Sequence, residues 1–275
     1  MKAKKKRILY NICLVVLIVI FIGSAGYLAS YFLQSRKSES QFDTLESMID
    51  EPVQADEIVY VATEGDAEPG LEFVSIDGTL VQKRFASIYQ KNHDFVGWLS
   101  IEDTHIDYPV MQTMEDEEYY IHRDFYGDYS AAGTLFADTE SNIEKPSDNI
   151  LIYGHNMKTG KMLHDLLKYE NEDFYKSHRY IQFDTIYGNA SYEVIAAFRT
   201  EILDEESEGF KYYRFFDAED EADFHRFVSG CKGLTSYTID TDASYGDSLI
   251  TLSTCAYHTE NGRFVVVAKK INEAN

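Results

Sequence analysis

Three side chains in this sequence have the chemistry needed for nucleophilic acyl transfer, namely Cys255, Arg263 and His155. Cys255 ends the run 249–255, whose alternate residues would lie on opposite faces of a β-strand. Arg263 opens a second apolar run after a short polar loop. The two runs are therefore expected to pair as a hairpin and to hold the thiol beside the guanidinium. A neighbouring positive charge favours the thiolate, which is the nucleophilic form of cysteine.

His155 is the candidate acid and base, because it follows the buried-strand pattern 150–153 and Gly154. In such a site the thiolate attacks a carbonyl, the imidazolium protonates the leaving amine, and a cationic donor stabilises the oxyanion. The cysteine and the histidine lie 100 residues apart, but the pair needs proximity only in the fold. His258, three residues after Cys255, is the alternative histidine.

The cysteines also allow other interpretations. Free cysteines are often small buried hydrophobes, so a purely structural Cys255 is one alternative. Cys231 falls on an apolar stripe with helical spacing within 224–231, which predicts a core residue on a helix capped by Asp217. Cys231 and Cys255 are also able to form a disulfide, although nothing in the sequence requires it.

The N-terminal residues have the composition of a membrane anchor. Residues 1–7 carry five Lys or Arg side chains, and the 26 residues of 8–33 include none with a charge. About 20 apolar residues cross a bilayer as a helix, and basic residues before the span favour a cytoplasmic N-terminus. A cleaved signal peptide is the alternative, since residues 24–26 are small. Either interpretation places the remainder outside the cytoplasm.

Charge and motif spacing exclude several kinds of partner. Seven of the 25 basic residues and none of the 47 acidic ones lie in 1–37, so residues 38–275 carry a net charge of −29. Nucleic acid is therefore not an expected partner, because its phosphates would be repelled. The sequence has no Cys-x-x-Cys or His-Glu-x-x-His spacing, and we expect neither a metal nor a cofactor.

The elements that must position these residues are mostly strands. Residues 80–95 have helical spacing, and short β patterns follow through most of the remaining chain. Many strands, few helices and no strand–helix alternation predict a closed or nearly closed, antiparallel-rich β-barrel. The predicted organisation is a basic cytoplasmic tail (1–7), a transmembrane signal-anchor (8–33), an acidic extracytoplasmic stalk (34–79) and a catalytic domain (80–275).

The motifs resemble those of sortases, and especially of class B. Residues 251–255 with the downstream Arg263 are similar to the cysteine signature of the family. Residues 152–157 resemble its histidine segment, and 92–112 resemble the N-terminal part of class B members. The predicted helix at 217–231 also fits class B. The resemblance extends over residues 80–271.

The resemblance implies an eight-stranded β-barrel that carries a cysteine transpeptidase. Cys255 would attack a C-terminal sorting motif of a secreted protein, His155 would serve as acid and base, and Arg263 would orient the substrate and assist the oxyanion. An amine of a cell-wall precursor or, alternatively, of a pilin lysine would then accept the acyl group. Glu117 stands where relatives are expected to carry Asn, so the exact motif stays open. By the same analogy, the substrate-binding residues would be Tyr153, Ser253, Thr254, Ile121 and Glu117.

Two other functions are compatible with parts of the sequence. An L,D-transpeptidase would share extracytoplasmic cysteine chemistry, but it should contain a Ser-His-Gly-Cys segment, which this sequence lacks. A membrane-anchored binding module without activity would bury Cys255 as a structural residue. Labelling of the native thiol separates this last case from an enzyme.

Overall fold

The computed structural model describes residues 2–51, 60–61, 70–256, 259 and 261–271. The chain divides into two units, 1–41 and 42–275. The first unit consists of the larger part of helix α1 (Lys2–Ser47). Within α1, Tyr10–Ser30 has 21 residues and a mean hydropathy of 2.7. By length and composition alone, this segment is able to cross a membrane.

A closed eight-stranded barrel forms the centre of the second unit, as the sequence predicts. The strands follow one another around the barrel in the order β10-β11-β9-β8-β4-β5-β6-β7. The β5/β6 and β7/β10 pairs are parallel, and the other pairs are antiparallel. The barrel strands are β4 (Phe95–Ser100), β5 (Asp107–Met111), β6 (Leu135–Ala137), β7 (Asn149–Tyr153), β8 (Tyr180–Thr185), β9 (Ser191–Glu201), β10 (Leu249–Cys255) and β11 (Gly262–Ile271).

A small antiparallel sheet and several short helices complete the second unit. The sheet contains β1 (Tyr60–Val61), β2 (Glu72–Ile76) and β3 (Thr79–Gln82). The α-helices are α2 (Ala86–Tyr89), α3 (Glu172–Ser177) and α4 (Glu221–Leu234), and the 3₁₀-helices are Lys83–Phe85, Tyr119–His122, Leu163–Glu170 and Tyr212–Arg214.

The helix predicted over 80–95 is wrong in most of its length. Residues 79–82 instead form β3, which pairs with β2, and helical structure covers only Lys83–Phe85 and α2. Pairing with a neighbouring strand has outweighed the helical spacing of the apolar residues, since tertiary contacts routinely override such a local preference.

The predicted cap of α4 is also wrong. Asp220, not Asp217, is the N-cap, and its Oδ1 accepts the N–H of Asp223 at 2.8 Å. The Asp217 carboxylate instead accepts the N–H of Asp148 at 3.0 Å. Both are aspartates just before the helix, and only the backbone path decides which of them caps it.

The strand alternation divides the core into two clusters. Ile250 and Leu252 of β10 belong to the larger cluster, whereas Leu249 belongs to a second cluster beneath α4. Cys231 is fully buried in that second cluster, which confirms the prediction of a core residue. Burial also raises the pKa of the Cys231 thiol well above its ordinary value.

Part of the predicted stalk packs into the second unit, whereas residues 34–41 belong to the first. Residues 42–51 and 70–79 belong to the second unit. The last turns of α1 bury Leu45 completely, and the ring of Phe42 packs edge-on against Tyr108 at 5.1 Å between centroids. An apolar stripe within the acidic segment therefore anchors it to the barrel. The rest of the predicted stalk between residues 52 and 69, except 60–61, lies outside the described residues.

Candidate active site

Cys255 and Arg263 are register partners in the antiparallel β10/β11 ladder. Directly opposed residues of such a ladder present their side chains on the same face, with Cβ atoms about 5 Å apart. The predicted hairpin is therefore confirmed, and Cys255 and Arg263 lie on one face of it. Both side chains are half-buried, so Cys255 is not the fully buried hydrophobe that the alternative interpretation requires.

The site lies on the outer face of the barrel wall. Ser253 shares a face with Cys255 by strand alternation, and its register partner on β7 is Tyr153. The Ser253 hydroxyl lies 2.7 Å from the hydroxyl of Tyr212, which comes from a 3₁₀-helix outside the barrel. Burial raises the pKa of Tyr212 to about 12. The tyrosine therefore stays neutral at physiological pH and supports the floor of the site.

His155 reaches the site because Gly154 brings the chain close to its neighbours. The N–H of Gly154 donates to the carbonyl of Ser253 at 3.2 Å, which extends the β7/β10 contact by one residue. A Cβ atom at position 154 would lie 2.2 Å from Cδ2 of Leu135 and 2.9 Å from Cγ of Leu163. A larger residue would have to displace both leucine side chains, and the residue that follows, His155, lines the same cavity as Cys255.

Two contacts fix the His155 ring. Its Nε2 lies 2.7 Å from the carbonyl oxygen of Ile121, and its ring stacks on His122 with centroids 5.2 Å apart. A carbonyl oxygen only accepts, so Nε2 carries the hydrogen and Nδ1 is the nitrogen available for proton transfer. Burial, and to a lesser extent the nearby His122, lowers the pKa of His155. The ring is thus biased toward its neutral form.

One wall of the site is acidic. The Tyr153 hydroxyl donates to Oδ2 of the buried Asp138 at 3.1 Å. Partial burial and the neighbouring Asp138 carboxylate raise the pKa of Glu117 to about 7. Glu117 therefore exchanges its proton near neutral pH, and the charge of this wall changes there.

A cavity of about 260 Å³ connects these groups. All eight residues predicted from the sequence line it, which places the catalytic and the substrate-binding candidates together. Thr254 and Ser253 are nevertheless buried, and the Thr254 hydroxyl is already donated to the carbonyl of Gly154 at 2.7 Å. The predicted residues in the lining are Cys255, His155, Arg263, Tyr153, Ser253, Thr254, Ile121 and Glu117.

Sequence reasoning missed several residues of the lining. Ile202 follows the long strand β9, and Tyr213 belongs to the Tyr212–Arg214 turn. Neither belongs to a motif with catalytic residues, so no pattern in the sequence indicates their position. The alternative histidine, His258, lies outside the described residues. The remaining missed residues are Glu118, Thr134, Phe136 and Gly154.

The three thiols differ clearly in their surroundings. All are free, so the disulfide alternative for Cys231 and Cys255 does not occur in the structure. Cys13 lies on the apolar segment of α1, and Cys231 is sealed in the second core cluster. Cys255 is the thiol that faces a cavity together with a histidine and an arginine.

Comparisons with known proteins agree with this arrangement. A family model for the sortase domain matches residues 99–271. Sortase B of Listeria monocytogenes is 34% identical over 195 residues, which cover 70% of this chain and 76% of the relative. The structure of sortase B from Bacillus anthracis has a TM-score of 0.70 at 26% identity and covers 88% of this chain and 100% of its own. A Staphylococcus aureus sortase B–substrate complex has a TM-score of 0.63 at 31% identity and covers 70% and 87%.

Proposed function

We propose that Cys255, His155 and Arg263 form the catalytic centre of this chain, which belongs to the sortase family of cysteine transpeptidases and is of the class B type. The observation that carries this assignment is the cavity that all three side chains line. Cys255 and Arg263 are direct partners in the β10/β11 ladder, and His155 follows β7, which pairs with the other edge of β10. The described part of the chain contains no other thiol that faces this cavity.

The proposed reaction has two covalent steps. The Cys255 sulfur bonds to the Thr carbonyl carbon of a sorting motif, the C–N bond breaks, and His155 supplies the proton that the departing amine needs. An acceptor amine then attacks the thioester, the C–S bond breaks, and the amine proton passes to His155. Arg263 offers a planar fork of donors to the substrate carbonyl and to the oxyanion of each tetrahedral intermediate.

The cavity walls support recognition of an extended peptide. Tyr153 and Ile121 provide apolar contact, and Glu117 provides a polar group at the acidic wall. Ser253 and Thr254 contribute to the floor, with their hydroxyls directed to other protein groups. The substrate is a secreted protein with a C-terminal sorting motif, and the acceptor is an amine of a cell-wall precursor.

A test of the proposed reaction is direct detection of the acyl-enzyme. The full chain in detergent is incubated with a sorting-peptide library, and intact mass spectrometry follows the protein. We expect an acyl adduct on Cys255, which hydroxylamine converts to a hydroxamate product because it competes for the thioester. Turnover without an adduct, or an adduct on Cys231, would overturn the assignment. Candidate amines added to the same reaction identify the acceptor from the product masses.

The N-terminal segment suggests how the enzyme is anchored to a membrane. We propose that residues 8–33 form a single-pass anchor with residues 1–7 in the cytoplasm and the catalytic domain outside. The apolar Tyr10–Ser30 segment of α1 and the basic residues before it support this topology. Protease added to wall-stripped cells should release the catalytic domain. A released protein that begins near Ala25 would instead show cleavage of a signal peptide.

A further inference from the structure

We propose that Asn156 is a positioning residue that fixes the main chain at Cys255, and that His164 in turn fixes the Asn156 side chain. The inference rests on the proposed function, in which Cys255 is the nucleophile. It concerns two residues that do not line the cavity described above.

Asn156 acts where the backbone ladder between β7 and β10 ends. The last register pair is Tyr153 with Ser253. Beyond that pair, the amide Nδ2 of Asn156 donates to the carbonyl oxygen of Cys255 at 2.9 Å. Asn156 is only 8% exposed, so this bond is shielded from competing water. The segment that carries the histidine is thereby bonded to the residue that carries the thiol.

The chemistry of the partners determines the orientation of the Asn156 amide. The Cys255 carbonyl only accepts hydrogen bonds, so the NH₂ group of Asn156 must face it. The amide oxygen Oδ1 then faces Nδ1 of His164 at 2.7 Å. Because Oδ1 is an acceptor, Nδ1 of His164 must carry a hydrogen. His164 therefore holds the amide in the one orientation that serves Cys255.

The Cys255–Ala256 peptide group is therefore hydrogen-bonded through both its carbonyl and its N–H. The carbonyl of the Cys255–Ala256 peptide accepts from Asn156, and its N–H donates to the carbonyl of Gly262 on β11 at 2.9 Å. Rotation of this peptide would alter the direction of the Cys255 side chain. A displacement of about 1 Å at a reacting atom is able to reduce a rate about a hundredfold.

Asn156→Asp is the sharpest variant, because it preserves shape while replacing the donor. The carboxylate would face the Cys255 carbonyl as a second acceptor, but it would still accept from His164. We expect kcat/KM to fall about a hundredfold through kcat, with little change in KM. The melting temperature should fall as well, because a buried carboxylate then faces a carbonyl oxygen. Asn171→Asp is the matched control, since Asp replaces Asn well as the N-cap of α3 and residue 171 is not in the cavity lining. Equal activity of the Asn156→Asp variant and the wild type would overturn the proposal.

His164 supplies a second test that does not depend on the folding of an Asn156 variant. Asn places an N–H donor close to the position of Nδ1, so His164→Asn should retain most activity, whereas His164→Leu should lose it. In the wild type, ¹⁵N spectra should show the Nδ1-protonated tautomer of His164 at neutral pH. Equal activity of the two variants, or a neutral His164 ring protonated at Nε2, would contradict the proposed role of His164 in fixing the Asn156 amide.

Cys255→Ala separates failure of this inference from failure of the proposed function. If Cys255→Ala is inactive but Asn156→Asp is fully active, only the positioning role is wrong. If Cys255→Ala still turns over, Cys255 is not the nucleophile, and the positioning role fails with the proposed function. Alkylation of Cys255 by iodoacetamide gives a substrate-free readout, in which the buried Cys231 serves as an unreactive internal reference.

Discussion

His155 and Ile121 are joined by a hydrogen bond of 2.7 Å between the imidazole Nε2 and the main-chain carbonyl. Ile121 belongs to the 3₁₀-helix Tyr119–His122, whose last residue also stacks on the His155 ring. One short segment therefore fixes the tautomer of the histidine, contacts its face and contributes Ile121 to the cavity. Because the two rings are in contact, a positive charge on His122 opposes protonation of His155.

We expect His122→Phe to raise the pKa of His155. The phenyl ring preserves stacking but removes an imidazole whose protonated form opposes protonation of His155. At a pH between the wild-type and the variant pKa values, a larger fraction of His155 is then in the imidazolium form. NMR titration of His155 measures the change. The variant leaves Cys255, Arg263, Glu117 and Glu118 of the cavity unsubstituted.

His93→Phe is the control for this titration, because His93 stacks on Tyr89 rather than on His155. It should leave the pKa of His155 unchanged. A His155 pKa that is unchanged or lower in His122→Phe would show that the His122 charge has no such effect.

Replacing each cysteine separately should distinguish the nucleophile from the core thiol. Cys255→Ala should abolish cleavage of a sorting peptide, because no thioester is able to form. Cys231→Ala should remain active and lower the free energy of unfolding by about 1 kcal/mol, as expected for loss of one buried apolar group. Peptide cleavage and denaturant unfolding measure the two effects. Loss of activity in a well-folded Cys231→Ala variant would contradict this division.

Arg263→Lys should retain the fold and lose about a hundredfold in kcat, which corresponds to about 3 kcal/mol for an oxyanion donor. Lysine keeps the charge but lacks the planar fork of the guanidinium. Arg199→Lys is the matched control on the adjacent strand, where Arg199 pairs with Glu170 at the surface. Steady-state kinetics compare the two variants. Near-native turnover of Arg263→Lys would remove the guanidinium from the mechanism.

Gly154→Ala should destabilise the protein by about 1–3 kcal/mol, the usual range for overpacking. The added methyl group would overlap the buried side chains of Leu135 and Leu163. Since Gly154 precedes His155, activity should fall as well. Gly233→Ala in α4 is the control, because no atom lies within 4 Å of its added Cβ. Thermal unfolding of both variants measures the difference, and equal stability would contradict the close packing.

Asp138→Asn should lower the pKa of Glu117 from about 7 toward its ordinary value, because a neighbouring negative charge is removed. Glu117 would then be ionised at pH 6, where the wild-type Glu117 is mostly protonated. Carboxyl ¹³C NMR follows the titration. Glu140→Gln should have a smaller effect, since Glu140 contributes least to the raised pKa. A larger shift from Glu140→Gln than from Asp138→Asn would contradict this order.

The local sequence patterns determined much of this protein. Period-two alternation in 249–255 and the apolar run after Arg263 predicted the strand pair and the shared position of Cys255 and Arg263 on it, because alternate residues of a strand lie on the same face. The stripe that includes Cys231 predicted a buried helix face in the same way. A closed or nearly closed barrel followed from the many strands and few helices, and its eight strands followed from the resemblance to sortases.

Only the tertiary structure decided which distant residues share the site. The β7/β10 pairing brings His155 to the same cavity as Cys255 across 100 residues of sequence, and the Tyr212–Arg214 turn adds Tyr213 to that cavity. The tertiary structure also places residues 79–82 in a strand and residues 42–51 in the barrel unit. Such contacts depend on strand register and on burial against remote partners. Local periodicity does not encode either of them, so the Asn156–Cys255 bond became visible only in the folded chain.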